Sequence, residues 1–185
     1  MIKLGMTGSL VIGLLVMTPV SGVAQERVPH QGSTAVGIDF GAFTPFDDRL
    51  DMAPAIGALF EYYLTPRVSI RTGFGMADPS FNGNGNSLRQ VPLRADLNYN
   101  WEGGKWHPFV GTGVGAYFLQ NKGSNGTAFG DQETKFGFNL GGGAEYFLNR
   151  RVAMKGEGRL HNIEKASSGL DPSGVALSVG LKTYF

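Results

Sequence analysis

The sequence predicts an all-β protein, an eight-stranded antiparallel up-and-down barrel that crosses a membrane. Three observations predict it. Apolar residues alternate with small or polar ones in eight separate runs, the period of strands with one apolar face and one wet face. The connections between runs are tight turns and long polar loops in alternation, the asymmetry of transmembrane barrels. The apolar faces carry no charge, and the opposite faces are rich in glycine.

A leader precedes the barrel. Lys3 is followed by an apolar run, Leu10 to Met17, then by Pro19, with small residues at Gly22 and Ala24. This is the pattern of a secretory signal peptide, cut after Ala24. Residues 1–24 are therefore expected to be the leader and 25–185 the barrel domain. The run is too short for a helix that must cross about 30 Å of hydrocarbon. Without Lys3, basic and acidic residues are equal in number, so no basic excess points to nucleic acid. The chain has no cysteine, which excludes lipid attachment at the cleavage site and disulfides.

The first run sets Val36, Ile38, Phe40 and Ala42 against Gly37, Asp39 and Gly41. After a polar loop with Asp47, Asp48, Arg49 and Asp51, Ile56, Ala58, Phe60, Tyr62 and Leu64 oppose Gly57, Leu59, Glu61 and Tyr63. Thr65, Pro66 and Arg67 make a tight turn, since proline pre-sets φ at a corner. Val68 to Met76 forms the third run, and a Gly/Asn/Ser loop reaches about residue 90. The fourth run sets Val91, Leu93, Ala95, Leu97, Tyr99 and Trp101 against Pro92, Arg94, Asp96 and Asn98. A hairpin turn at 102–105 contains Gly103-Gly104. The fifth run is Val110 to Phe118 and the sixth Phe136 to Tyr146, with a polar loop over 120–134 between them. Asn149-Arg150 turns the chain into the seventh, Val152 to His161. A loop over 162–173 leads to the eighth, Gly174 to Phe185.

Alternation alone does not say which face looks outward, because a soluble ligand-binding barrel turns its apolar face in. Three features place it outward. A charge at mid-membrane costs about 2–4 kcal/mol, and the apolar faces have none. Glycine suits the inside of an eight-stranded barrel, which barely has room for side chains. Tyr62, Tyr99, Trp101, Trp106, Tyr146 and Phe185 crowd the tight-turn end, where a membrane interface favours aromatic rings.

The closing strand alternates Val175, Leu177, Val179, Leu181, Thr183 and Phe185 with Ala176, Ser178, Gly180, Lys182 and Tyr184. It resembles the C-terminal insertion signal of bacterial outer-membrane barrels, carried here by Leu177, Val179, Leu181 and Phe185. The family's aromatic two places before the last residue is Thr183 here, and Tyr184 stands one place over. With EYYLTPRVSIRTGFG, PFVGTGVGAYF and GLDPSGVALSVGLKTYF, the chain resembles the small outer-membrane β-barrel family typified by the OmpA membrane domain and OmpX. The resemblance implies the cell outer membrane, reached through the periplasm, and contact with its lipid and lipopolysaccharide. It also implies recognition of the closing strand by the barrel-assembly machinery and a monomeric barrel.

The inward faces hold five acids, Asp39, Glu61, Asp96, Glu145 and Glu157, and five bases, Arg71, Arg94, Lys155, Arg159 and Lys182. Equal numbers predict a salt-bridge ladder filling the lumen, beside the large side chains of Tyr63, Phe109 and Tyr117. A structural or surface-interaction role through the outer loops follows, with an undefined surface ligand; a narrow, porin-like pore is the alternative. A second alternative is acyl-ester hydrolysis by His161, Glu164, Ser167, Ser168 and Asp171. The lipid A deacylase barrels have Ser two places after His, whereas here that position is Ile163, so the set is expected to be a solvated loop with one rim histidine, His161, at the end of the polar face of the seventh run. Gly111, Gly113 and Gly115 miss dinucleotide spacing. The Asn125-Gly126-Thr127 sequon is a three-residue match in a glycine-rich loop, and His30, His107 and His161 are too scattered for a metal. No cofactor is expected.

Overall fold

Strand β1 (Thr34–Pro45) pairs along one edge with β2 (Ala53–Tyr63), which pairs in turn with β3 (Val68–Ala77). β4 (Ser87–Asn100), β5 (Trp106–Lys122), β6 (Glu133–Phe147), β7 (Val152–Ile163) and β8 (Gly174–Tyr184) continue the meander. β8 then closes on the free edge of β1, with Ala35 opposite Tyr184 and Pro45 opposite Gly174. The result is a closed, all-antiparallel barrel of eight strands, so no strand edge is left unpaired. The computed structural model describes residues 29–83, 85–101 and 104–185. The leader expected over 1–24 and part of the 102–105 turn lie outside the described residues.

The wall follows the predicted alternation. On β8, Val179 is 65% exposed while Lys182 is 1% exposed. Val36, Ile38, Phe40, Leu97, Val114, Phe138 and Leu181 all face outward. Tyr62, Tyr99, Trp101, Trp106 and Phe185 are exposed at the turn end. Two ring pairs, Tyr99–Trp101 at 4.9 Å and Trp106–Tyr146 at 5.0 Å, brace that girdle. In the turn before β5, Gly104 takes φ 71°, which residues with a Cβ rarely adopt. At Gly111 the need is space: a Cβ there would collide with Asn98 Oδ1, an inward side chain of the next strand.

Several strands are longer than the alternation indicates. β4 starts at Ser87 rather than Val91, and β5 runs on to Lys122, so Ser87 pairs with Lys122 and Gln90 with Leu119. β6 begins at Glu133, shrinking the loop read over 120–134 to 123–132. These extensions lie toward the loop end, beyond the apolar band. There both faces can be polar, so pairing continues without the alternating signal. At the other end Leu64 belongs to the turn, its N–H bonded to Val68 O at 2.9 Å. The β3–β4 ladder skips Gly75 and Met76 opposite Pro92 and Val91, as expected where proline has no N–H to donate.

Candidate functional site: the lumen and its two closures

The inward residues stack into three zones along the barrel axis. At the turn end Ala35, Tyr63, Phe147, Ala153 and Tyr184 form an apolar and aromatic cluster. The Tyr63 and Tyr184 hydroxyls lie 3.2 Å apart, and the Phe147 and Tyr184 rings are 5.1 Å apart. Period two alone places these residues inward, at the turn-side ends of β1, β2, β6, β7 and β8.

Above them lies the charged zone. Lys182 Nζ is 2.5 Å from Glu61 and 2.6 Å from Glu145, and the Tyr184 hydroxyl donates to Glu145. Arg71 meets Glu61 at 3.1 Å, Glu157 at 3.2 Å and Glu145 at 3.9 Å, with its guanidinium 4.8 Å from the centre of the Phe109 ring. The Ser69 hydroxyl donates to Glu61, and Asn98 donates to the same carboxylate at 3.3 Å. Glu157 is the hub: Arg71, Lys155 at 2.6 Å and Arg159 converge on it. Lys155 also reaches Asp39 at 2.8 Å, and Arg159 reaches Asp96 at 3.5 Å, where Arg94 lies 3.4 Å away. All ten charged residues singled out from the sequence thus share one network. The sequence reading did not assign Ser69, Asn98 and Asn139 to it. Their inward parity was the available signal, and Asn139 accepts from Arg159.

Toward the loops the packing loosens. A cavity of about 90 Å³ is bordered by Asp39, Phe43, Gln90, Arg94, His161 and Ser178. Asp39 Oδ1, Gln90 Oε1 and Arg94 Nε are buried there without hydrogen-bond partners in the protein. Buried polar atoms beside a cavity of this size are the kind that ordered water can satisfy. Over it sits an apolar lid of Leu50, Leu88, Tyr117, Leu119, Ile163, Ala166 and Leu170, with Phe81 against it. The sequence reading missed this lid, because half of it comes from loops and half from the strand extensions.

The loops are fastened to one another. Asp47 receives two bonds from Arg49, at 2.8 and 2.6 Å, and one from the Asp171 N–H at 3.0 Å, tying the first long loop to the fourth. The Arg49 hydrogen bonds hold the Asp47 carboxyl well below the usual carboxylate range. Asn82 donates to Asp48 O at 2.7 Å, and Asp51 N–H to Ser80 O at 2.8 Å, joining the first loop to the second.

The residues weighed for hydrolysis are not brought together. His161, expected at the rim, is buried in the lumen, its Nδ1 2.9 Å from the Tyr117 hydroxyl and its ring edge-on to Phe43. It continues the inward parity of Lys155, Glu157 and Arg159 on β7, which is why it leaves the solvent. Ser167 instead donates to Glu133, 3.0 Å from its Oγ, and Glu164 lies outside on Phe136 N–H at 3.4 Å. Among the described residues no group of His, Asp and Glu is arranged to hold a metal ion.

A closed barrel with an apolar outer band, an aromatic girdle and a packed polar interior is a transmembrane β-barrel. More particularly, the chain belongs to the outer membrane protein beta-barrel domain family, whose model matches residues 11–182, and its place is the outer membrane. Solved structures agree in fold. The N-terminal barrel of Pseudomonas aeruginosa OprF is 16% identical, with a TM-score of 0.62, and the match covers 84% of this chain and 98% of that one. Neisserial surface protein A is 11% identical at TM-score 0.67, covering 83% and 96%. OprG from Pseudomonas aeruginosa is 15% identical at TM-score 0.66, covering 84% and 97%. No curated protein matches the chain by sequence.

Proposed function

We propose that this barrel is a structural and surface-interaction protein. Its four long loops act as the contact surface, and the charged lumen acts as a rigid filling rather than a passage. One observation carries the reading: side chains close the lumen at both ends, with charges paired between them. A filled eight-stranded interior leaves little room for solutes. Reconstituted into planar bilayers, the pure protein is expected to give no stable nanosiemens-scale channels, and such channels would overturn the filling. The cavity bordered by Gln90 and Arg94 supports a second reading, a narrow conduit for water-sized solutes. Osmotic swelling of vesicles with and without the protein tests it.

The same proposal covers export and assembly. The leader is removed after Ala24, so the membrane-inserted form has a mass starting at Gln25. Leu177, Val179, Leu181 and Phe185 act in recognition by the assembly machinery, and deletion of Phe185 slows insertion in cells more than folding into pure lipid. The barrel works as a monomer in contact with lipopolysaccharide. It is assigned no hydrolytic role, because His161 and Ser167 have separate partners. Release of acyl chains from lipid A by the folded protein would reverse that assignment.

A further inference from the structure

The outer wall is not evenly clad. A groove of about 850 Å³ crosses it from β3 to β7. Its floor follows one row of registered neighbours: Thr72 faces Ala95, Ala95 faces Val114, Val114 faces Phe138 and Phe138 faces Asn162. A second row, Leu93, Ala116 and Phe136, runs beside it and ends where the Glu164 N–H bonds Phe136 O at 3.0 Å. Ala95, Val114 and Ala116 are short and lie between Leu93, Phe136 and Phe138, which are long, so the middle of the two rows is sunken. Four strand spacings make the groove about 19 Å long.

The occupant follows from position. The groove is continuous with the lipid-facing band, so hydrocarbon rather than water or a soluble protein surrounds it. It climbs from the middle of β3 to the loop end of β7, where exposed Asn162 and Glu164 replace the apolar side chains. A long apolar track with an acceptor-bearing end matches a molecule with a long apolar tail and a donor-bearing head. We propose that the groove binds one acyl chain of an outer-membrane lipid whose headgroup carries N–H donors, seated on Glu164 and Asn162. Small side chains on the floor allow close contact along the chain, and this packing holds a ligand where hydrocarbon offers no hydrophobic driving force.

The test is native mass spectrometry of the mature barrel released from nanodiscs containing equal amounts of phosphatidylethanolamine and phosphatidylcholine with identical chains. The parent should retain one lipid and prefer the ethanolamine form by roughly threefold to fivefold, the scale of an exposed ion pair. Ala116→Phe fills the groove and should lose the retained lipid, and Ala95→Leu is the milder variant if the first does not fold. Glu164→Gln should keep the lipid but bring the two headgroups toward equality. Val179→Phe, on β8 away from the groove, should behave as the parent. Heat-modifiable gel mobility verifies that each variant is folded. Equal lipid retention by the parent and a folded groove-filling variant, or a parent that takes both headgroups equally, overturns the proposal.

Discussion

At the turn end of the lumen, Lys182 and Tyr184 close on Glu145, with Glu61 and Tyr63 beside them. At the loop end, Asp39, Gln90 and Arg94 border a cavity and leave polar atoms without protein partners. The two halves share one alternation and one radius, so the difference lies in what closes them. The turn end is closed by strand residues whose direction is set by the pleat. The loop end is closed by Leu50, Ala166 and Leu170 from the loops, together with Leu88, Leu119 and Ile163 at strand ends. A half held by strand residues and paired charges therefore sits below a half that depends on loop docking.

The largest expected effect lies in the turn-end half. Lys182→Met leaves Glu61 and Glu145 buried with one cation fewer and should cost about 3–5 kcal/mol, read from urea unfolding in lipid vesicles. A loss under about 1 kcal/mol, the level of an exposed pair, would mean that water reaches this zone and that the halves do not differ.

Next comes the lid. Leu119→Ala removes buried packing above the cavity and should cost about 2 kcal/mol, the low end for a core leucine, because the lid borders solvent. It should also raise hydrogen exchange in the first and fourth loops while the turn-end amides stay protected. Uniform deprotection would show that the halves unfold as one.

Gln90→Leu sharpens the comparison further. It deletes a buried acceptor with no protein partner, so the change should be neutral within about 0.5 kcal/mol or slightly stabilising. Asn98→Leu, which removes a donor to Glu61, should destabilise by about 1.5–3 kcal/mol, the scale of bonds to charged groups. Equal costs for the two leucines would erase the distinction.

The smallest effect concerns the loop latch. Asp47 has its folded pKa depressed by Arg49. Its contribution is therefore complete above the usual carboxylate pKa and fades only as pH falls through the lowered value. Loop protection factors, corrected for the intrinsic pH dependence of amide exchange, should stay flat from neutral pH down into the ordinary carboxylate range and fall below it. Asp47→Asn should show the lower protection already at neutral pH, with global stability changed by no more than about 1 kcal/mol.

The sequence by itself determined the number of strands, the direction of side chains along the apolar band and the absence of charge from the lipid-facing side of that band. The physical reason is local: successive side chains point to opposite faces, and the face that meets hydrocarbon cannot carry charge while the inner face can. Glycine along β5 and β6 likewise signalled a wall crowded from within. Only the closed barrel decided which cation meets which carboxylate. Lys155 meets Asp39 across the β1–β8–β7 arc, 116 residues away in the chain, and parity says nothing about partners. Closure also decided that Ser87–Gln90 and Gln120–Lys122 pair as strands, since beyond the membrane no alternation marks them. It gave His161 the partner Tyr117 and docked Ser167 on Glu133. The short spacing between those two residues suggested one site, but the parity of β7 turns His161 inward and loop docking, a tertiary property, holds Ser167 on Glu133.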